Sequence, residues 1–348
     1  MLCPLARSTI AAMQVAAAEA HSRERAIEVE NLVKRFGDIT AVDGISLSVP
    51  AGEVFGLLGP NGAGKTTTIN ILTGLARPLA GEVRVGGIDC SRHLKAAQHL
   101  MGVVPDESNL YPELTGFQNL CFCGALYGMT RAARERRAHE LLKRFDLAGA
   151  AQRKFAGYSR GMKRRLTIAA GIMHQPPILF LDEPTTGIDV ASARQVRQLI
   201  GEMNRAGTTV FLTTHYIEEA ERLCRRVAFI VSGRIVREDT VKNLMRQVGG
   251  THIVQFTVSK ATPDMAGSLS AAFAATRFEM TSDTQFRAIS TEPIRVGTLV
   301  VFMEQNGLAV SEAREIHPSL EDVFVQVTGL AAQEMKREKE RTGGGGGP

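Results

Sequence analysis

One stretch of eight residues combines closely spaced glycines with a lysine and a threonine. Its members are Gly59, Pro60, Asn61, Gly62, Ala63, Gly64, Lys65 and Thr66. They fit the spacing G-x-x-x-x-G-K-[ST], in which flexible glycines let several backbone N–H groups point at one anion. Lys65 would then contact the β- and γ-phosphates of a nucleotide, and the Thr66 hydroxyl would be a Mg²⁺ ligand. The residue types therefore predict a site for a nucleoside triphosphate.

The flanking sequence supplies the elements that such a loop needs. Residues 54–59 form a short apolar run ending in glycine, as is typical of a buried parallel strand. Residues 67–75 place apolar side chains at helical spacing, so the loop runs into a helix N-terminus whose partial positive charge favours an anion. A strand, a glycine loop and a helix in this order indicate an α/β fold.

Two further apolar strands are predicted, and polar side chains follow each of them. Residues 178–181 precede Asp182 and Glu183, and residues 209–214 precede His215. Because open α/β sheets bind ligands at the carboxyl ends of their strands, we expect Asp182 to hold Mg²⁺ and Glu183 to orient and deprotonate the attacking water. His215 allows two interpretations from its position alone: an ordinary core or surface histidine, or a γ-phosphate contact.

The chain between Lys65 and Asp182 contains one further motif. Tyr158, Ser159, Arg160, Gly161 and Met162 precede a basic helix start. Ser159 and Gly161 match the serine and the second glycine of the signature motif in ATP-binding-cassette ATPases. The chain resembles that family over about residues 26–245, with the motifs in the family's order.

The resemblance assigns roles to residues outside the glycine loop. Phe36 matches the aromatic residue that stacks on adenine, Asp189 the aspartate of the D-loop, and His215 the switch histidine. The resemblance also places Thr67 among the residues that contact the nucleotide. The resemblance implies that the catalytic residues are Lys65, Glu183 and His215.

The resemblance also implies an architecture and a mechanism. The fold is a P-loop NTPase with a RecA-like core, an antiparallel β subdomain and a helical subdomain over about residues 106–175. Two copies pair head to tail, and each ATP, with Mg²⁺, lies between the phosphate loop of one copy and the signature segment of the other. Hydrolysis then loosens the pair.

Two positions depart from the family pattern. Arg160 and Met162 stand where the signature has glycine and glutamine, but the phosphate contact uses the serine and the backbone. Asp106 stands where the Q-loop has a glutamine. We expect Asp106 to ligate or approach Mg²⁺, since carboxylate oxygens suit this ion. Its charge is also expected to raise the pKa of Glu183.

Composition excludes several classes of protein. The 348 residues carry a net charge of +5, which is too mild to predict a nucleic-acid partner. Five scattered cysteines are not a disulfide framework and favour a reducing compartment. The basic residues of 131–165 are interpreted as a solvated helix face or, alternatively, as a surface that meets a membrane subunit near anionic headgroups.

The pattern changes after Gly249 and Gly250 to a small α+β unit over about residues 250–330. Its predicted order is βαββαβ followed by a helix, a ferredoxin-like arrangement. The closing residues 318–324 resemble the C-terminal module of ATPases from ABC-2 exporters, which suggests dimerisation or regulation. Residues 1–25 are interpreted as a frayed extension rather than a signal peptide, and residues 331–348 as a flexible tail.

The favoured interpretation is the ATP-hydrolysing subunit of an ABC-2 type exporter, working as a homodimer. A separate transmembrane permease would hold it at the cytoplasmic face of the cell membrane, and no nucleic acid is expected. Two alternatives stay open at this point. One is a soluble ABC ATPase that remodels a ribosome or a nucleic-acid complex, and the other is a scaffold that binds nucleotide without hydrolysing it.

Overall fold

A computed structural model describes residues 25–248, 252–260, 263–316 and 319–330. The predicted extension over 1–25, apart from Arg25, and the predicted tail over 331–348 lie outside these residues. The chain divides into two compact units between Asp239 and Thr240, and the second unit is Thr240–Gly329.

The first unit is built on a six-stranded sheet whose order is β10-β9-β3-β8-β7-β6. Its strands are β3 (Val54–Leu58), β6 (Met101–Val104), β7 (Ile178–Asp182), β8 (Thr209–Thr214), β9 (Arg226–Val231) and β10 (Arg234–Thr240). The five strands from β9 to β6 pair in parallel. Every residue of β3, β7 and β8 is buried, as expected for parallel strands covered on both faces. The predicted strands over 54–59, 178–181 and 209–214 are thus confirmed.

A second, antiparallel sheet packs against the same core. It has the order β2-β1-β4-β5, with β1 (Arg25–Phe36), β2 (Ile39–Pro50), β4 (Ala80–Val85) and β5 (Ile88–Asp89). Ile27 and Val49 of this sheet share one buried cluster with Phe55 and Phe180 of the parallel sheet and with Ile69. The antiparallel sheet therefore lies over α1 (Lys65–Leu72), which follows β3.

Three helices form the region between β6 and β7. They are α3 (Gly116–Leu126), α4 (Arg131–Arg144) and α5 (Arg160–Gly171). Thr115, Thr130 and Ser159 cap their N-termini, because each side chain accepts a hydrogen bond from a backbone N–H of the first turn. On α4, Arg131 pairs with the exposed Glu135 at 2.8 Å, which supports a solvated helix face.

The remaining helices of the first unit pack around the parallel sheet. They are α2 (Cys90–His99), α6 (Val190–Arg205) and α7 (Ile217–Leu223). Asp189 caps α6 by accepting a hydrogen bond from the Ser192 N–H at 2.9 Å. Helix α7 begins two residues after His215, so it lies at the same edge of the sheet as the predicted site.

The second unit is a four-stranded antiparallel sheet with two helices between its strands. The elements are α8 (Val241–Val248), β11 (His252–Val258), α9 (Pro263–Ala272), β12 (Thr276–Ser282), β13 (Gln285–Ser290), α10 (Val296–Gln305), β14 (Val310–Ile316) and α11 (Leu320–Thr328). The strand order β12-β13-β11-β14 is that of a ferredoxin-like βαββαβ unit, as the sequence predicted. Alternate residues Val254, Phe256 and Val258 face its core, with Leu269 and Met303 of the helices packed on them.

In the described part of the chain, no helix combines the length and the apolar character needed to cross a membrane.

Candidate functional site

The glycine loop connects β3 directly to α1 at the carboxyl edge of the parallel sheet. Gly64 has a φ of +103° at the start of α1, a conformation that favours glycine. A Cβ at Gly64 would lie 2.3 Å from the Ala41 carbonyl oxygen, and one at Gly59 would lie 2.1 Å from the Ile230 carbonyl oxygen. Both positions therefore need glycine, because neighbouring backbone approaches too closely for any side chain.

The Lys65 side chain is buried beneath this loop. Its Nζ donates to the Gly59 carbonyl at 2.8 Å and to the Pro60 carbonyl at 3.0 Å. The same Nζ lies 3.2 Å from Glu183 Oε1. Only 5% of Lys65 is exposed, so its charge acts in a low-dielectric setting where it interacts strongly with anions.

Glu183 follows β7 and is held by groups from two other segments. Its Oε2 accepts a hydrogen bond from Thr186 Oγ1 at 3.0 Å and lies 2.8 Å from His215 Nδ1. An ionised carboxylate can only accept, so the Nδ1 atom carries the proton in this pair. His215 Nε2 is then left to face away from Glu183. The backbone of Glu183 has a φ of +49°, which is uncommon outside glycine and turns the chain sharply at the end of β7.

The expected rise in the pKa of Glu183 is wrong. Burial acts most strongly on this carboxyl and opposes its ionisation, but the hydrogen bond from His215 and the charge of Lys65 together outweigh it. The pKa of Glu183 is therefore lowered from its ordinary value. The prediction rested on the like charge of Asp106, whereas the tertiary fold places Lys65 and His215 beside Glu183.

Asp182, the last residue of β7, is 3% exposed. Its Oδ1 accepts a hydrogen bond from the Thr213 hydroxyl of β8. Among the described residues, no lysine, arginine or histidine forms an ion pair with this carboxylate. A buried carboxylate with a hydroxyl partner fits a hard divalent cation, whose charge would compensate its burial.

The Asp106 backbone lies beside that of Asp182, because both bind one arginine. Arg164 of α5 donates from Nη1 to the Asp106 carbonyl at 3.1 Å and from Nη2 to the Asp182 carbonyl at 2.5 Å. Burial lowers the pKa of Arg164, and the negative charges of Asp106 and Asp182 act in the opposite direction. This brings the predicted Asp106 position next to the predicted metal residue.

Ser159, Gly161 and Asp189 form a second cluster around the start of α5. Ser159 caps α5 by accepting a hydrogen bond from the Met162 N–H at 3.2 Å. A Cβ at Gly161 would lie 2.1 Å from Ser192 Oγ, the hydroxyl that donates to Asp189 Oδ2 at 2.7 Å. Ser159 and Asp189 are exposed, so a second molecule can reach them.

Phe36 ends β1 and exposes 54% of its surface. The Lys34 ammonium lies 5.0 Å from the centre of its ring. An exposed ring beside a cation offers a surface on which a purine can stack.

The structure thus brings Lys65, Glu183 and His215 into direct contact, with Asp182 at the same sheet edge. Two buried residues near them, Arg164 and Glu219, were not predicted from the sequence. Glu219 of α7 is 2% exposed, and its pKa is raised by burial and, to a smaller extent, by the charge of Glu183. The signal in the sequence was slight in both cases: a basic residue in a basic run, and an acidic residue four positions after His215.

This fold and this site define a P-loop nucleotide-binding ATPase unit. A family model described as ABC transporter matches residues 42–186. The chain is 43% identical over 233 residues to the linearmycin resistance ATP-binding protein LnrL of Bacillus subtilis (strain 168), covering 67% of this chain and 75% of LnrL. It is 38% identical to the daunorubicin resistance ATP-binding protein DrrA3 of Streptomyces coeruleorubidus, covering 88% of this chain and 96% of DrrA3.

Among solved structures, the chain is similar to a dimeric ATP-binding cassette in a post-hydrolysis state, bound to ADP and Pi. The TM-score is 0.58 at 29% identity, and the match covers 62% of this chain and 98% of that one. The chain belongs to the ABC transporter family of ATP-binding proteins. It is an ATPase subunit that binds adenine nucleotide.

Proposed function

We propose that this chain is the ATP-hydrolysing subunit of a membrane exporter, with Glu183 as the base that accepts a proton from the attacking water. The buried contact of Lys65 Nζ, the Glu183 carboxylate and His215 Nδ1 carries the proposal, at distances of 3.2 Å and 2.8 Å. Lys65 would contact the phosphates, and His215 would hold Glu183 while its Nε2 faces the γ-phosphate. The lowered pKa keeps Glu183 ionised and able to accept the proton.

Magnesium fits the residues at the end of β7. Asp182 and the Thr66 hydroxyl are hard oxygen donors, and Thr213 fixes the orientation of the Asp182 carboxylate. The bound ion would supply charge neutralisation on the phosphate oxygens. Asp106 would approach the same ion, and its substitution by alanine is expected to change the Mg²⁺ dependence of hydrolysis.

The other nucleotide contacts follow from the loop and the first sheet. The backbone N–H groups of the glycine loop would bind the phosphates, with Thr67 beside them, and Phe36 would stack on the adenine. The loop residues are Gly59, Pro60, Asn61, Gly62, Ala63, Gly64, Lys65 and Thr66.

Two copies would pair head to tail, so that Ser159 and Gly161 of one protomer bind the γ-phosphate held by the other. The exposure of Ser159 and Asp189, which leaves both accessible to a second copy, supports this arrangement. Ser159 sits at the N-terminus of a twelve-residue helix, where backbone N–H groups and the helix dipole favour an anion. The hydroxyl of Ser192 packs against Gly161 and so holds the signature close to the Asp189 loop.

The permease partner would dock in a groove beside the Asp106 segment. The groove has a volume of about 520 Å³ and is lined by Leu75, Leu126, Tyr127 and Pro105 among others. Leu75 and Leu126 expose 69% and 71% of their surfaces, and exposed apolar side chains around a groove are typical of an interaction site. A permease segment bound there would touch the residue preceding Asp106, and would hold the chain at the cytoplasmic face of the membrane.

The relatives' names favour an exporter over a ribosome- or nucleic-acid-remodelling ATPase. LnrL and DrrA3 are both named as resistance ATP-binding proteins, and a further relative, 36% identical over 315 residues, is named Nod factor export ATP-binding protein I, from Paraburkholderia xenovorans (strain LB400). The cargo would be recognised by the permease.

Phosphate release from Mg²⁺-ATP tests the proposed base. We expect Glu183→Gln to lower the rate by about 10²–10⁴-fold, because an amide cannot accept the proton. Glu218→Gln is the matched control, since Glu218 lies on α7, is exposed and pairs only with Arg222 among the described ion pairs. A Glu183→Gln variant that keeps its rate within a few-fold of the wild type contradicts the assignment.

Sedimentation tests the pairing. Glu183→Gln saturated with Mg²⁺-ATP is expected to sediment as a dimer, and the same variant without nucleotide as a monomer. A variant that stays monomeric with ATP, with or without permease, contradicts the head-to-tail arrangement.

Membrane recruitment tests the groove. Membranes from cells that express a permease gene adjacent to this one should bind the wild-type chain but not the Leu126→Glu variant. The Leu79→Glu variant is the control and should still bind, because Leu79 is exposed but does not line the groove. Equal binding to membranes without the permease contradicts the proposed partner.

A further inference from the structure

The buried arginine of α5 joins three parts of the site that are distant in sequence. Arg164 is 6% exposed, and each of its three guanidinium nitrogens donates to backbone carbonyls. Its Nε bonds to the Pro184 carbonyl at 2.9 Å, its Nη2 to that of Asp182 at 2.5 Å, and its Nη1 to those of Pro105 and Asp106. A planar guanidinium holds several acceptors at fixed relative positions.

These acceptors belong to the segments that carry the proposed metal residues. Asp182 ends β7 and Pro184 follows it, so the two flank Glu183, while Pro105 and Asp106 follow β6. The bonds to Pro184 and Asp182 are buried and those to Pro105 and Asp106 are partly buried, so moving either segment relative to α5 costs hydrogen bonds that water replaces poorly or only in part.

The same helix begins at Ser159, five residues before Arg164. An α-helix rises 1.5 Å per residue, so Arg164 holds α5 within about two turns of the signature serine. The far end of α5 is fixed separately, because a Cβ at Gly171 would lie 2.8 Å from Val104 Cγ2 of β6. Arg164 therefore fixes the end of α5 bearing Ser159 to the ends of β6 and β7, whereas the neighbouring buried Arg165 bonds to the Phe145 carbonyl just after α4.

We propose that Arg164 is a positioning residue that couples the two halves of the ATP site, by fixing the Ser159 end of α5 to the backbone of Asp106 and Asp182. Nucleotide and Mg²⁺ bound by one protomer then set the position of the serine that this protomer offers to the ATP of its partner. This inference rests on the proposed head-to-tail pairing. Arg164 itself contacts no substrate.

The test compares cooperativity with single-site binding in the full-length chain. For the wild type we expect Mg²⁺-ATP hydrolysis with a Hill coefficient of about 1.5–2, since two coupled sites set the upper limit. Arg164→Met should lower the Hill coefficient to about 1 and kcat by about 10²-fold, because Ser159 is misplaced. The Kd for Mg²⁺-ADP, measured by calorimetry, should stay within about 3-fold, since ADP binding needs one protomer only.

Two further variants separate coupling from general loosening. Arg164→Lys keeps the positive charge but lacks the planar guanidinium. Its melting temperature should therefore lie closer to the wild-type value than that of Arg164→Met, while its Hill coefficient should stay at about 1. Asn119→Leu is the matched control, since Asn119 is fully buried and bonds to Tyr111, Leu114 and Thr115, all within the helical region. It should lower the melting temperature while keeping the wild-type Hill coefficient.

The outcomes are distinct. If Arg164→Met and Arg164→Lys both keep the wild-type Hill coefficient and kcat, the proposal is overturned. Equal loss of cooperativity in Asn119→Leu also overturns it, because loosening of the helical region would then suffice. If Arg164→Met does not fold, Arg164→Lys decides. A wild-type chain that sediments as a dimer with Mg²⁺-ATP but has a Hill coefficient of about 1 overturns the coupling, whereas a chain that stays monomeric overturns the proposed pairing.

Discussion

The two sheets of this protein differ in what their buried residues do. The parallel sheet of the first unit has Lys65, Asp182, Glu183 and His215 buried at its carboxyl edge. The ferredoxin-like sheet of the second unit has, among its described residues, Ser290 as its one buried polar side chain. Its interior is otherwise apolar, with Phe256 and Phe286 stacked at 5.3 Å, for example.

The buried charged residues of the parallel sheet are suited to chemistry, whereas the apolar interior of the ferredoxin-like sheet serves packing. Burying a charge is costly unless a partner compensates it, and each charge at the first sheet's edge has a specific partner or a proposed ligand. The second unit has no such buried charge among the residues described. We therefore place hydrolysis in the first unit and propose a dimerisation or regulatory role for the second.

The largest effect is expected for Lys65. Lys65→Met removes the phosphate contact and leaves the Glu183 carboxylate without its ion pair at 3.2 Å. We expect ATP hydrolysis to fall by about 10³-fold, which is the upper range for loss of one charged transition-state contact. Lys260→Met, an exposed lysine of the second unit, is the control and should leave the rate unchanged. A similar loss of ATP hydrolysis in both variants would contradict the placement of hydrolysis in the first unit.

Core truncations in the two sheets should separate stability from activity. Phe211 and Phe256 are both fully buried in stacked pairs, with ring centres 5.5 Å and 5.3 Å from their partners. Phe211→Ala and Phe256→Ala should each cost about 3–5 kcal/mol in the unfolding free energy of their own unit, measured by urea titration. Only Phe211→Ala should also reduce hydrolysis, because Phe211 lies two residues before Thr213. A large loss of activity in folded Phe256→Ala would show that the second unit shapes the site.

The lowered pKa of Glu183 predicts a pH effect of known sign. Its ion pairing with Lys65 and its bond from His215 stabilise the first unit above the ordinary pKa of 4.5, and this contribution is lost as the pH falls through the lower folded value. The unfolding free energies of the wild type and Glu183→Gln should therefore converge on acidification below about pH 4.5. The transition of the second unit, with no buried carboxylate among its described residues, is the internal reference. A difference that is constant with pH would contradict the assignment.

The smallest effect concerns cysteine labelling. Burial raises the pKa of Cys224 well above its ordinary value, and the residues of the second unit include no cysteine. Iodoacetamide at pH 8 should modify Cys224 at least about tenfold more slowly than the half-buried Cys121, as mass spectrometry of the two peptides would measure. Mg²⁺-ATP should slow Cys224 further by stabilising the first unit. Equal labelling rates would indicate that the first unit opens locally at α7.

The local parts of the site could be predicted from the sequence. The spacing of Gly59, Gly64, Lys65 and Thr66 is a property of one short segment, and so are the apolar strands that precede the loop and Asp182. Caps such as Ser159 on α5 are equally local, because they involve residues within one turn. The alternation in β11 and the order of elements were enough to predict the ferredoxin-like unit.

Contacts between distant segments were decided by the tertiary structure alone. The sequence places Lys65 and Glu183 118 positions apart, and only the adjacency of β3, β8 and β7 brings them with His215 to one point. The pKa of Glu183 was predicted in the wrong direction for that reason: its sign depends on which charges the fold places within a few ångströms. The carbonyls around Arg164 are a further case, because strand order fixes which loops meet, and no local pattern records which partner a buried donor will find.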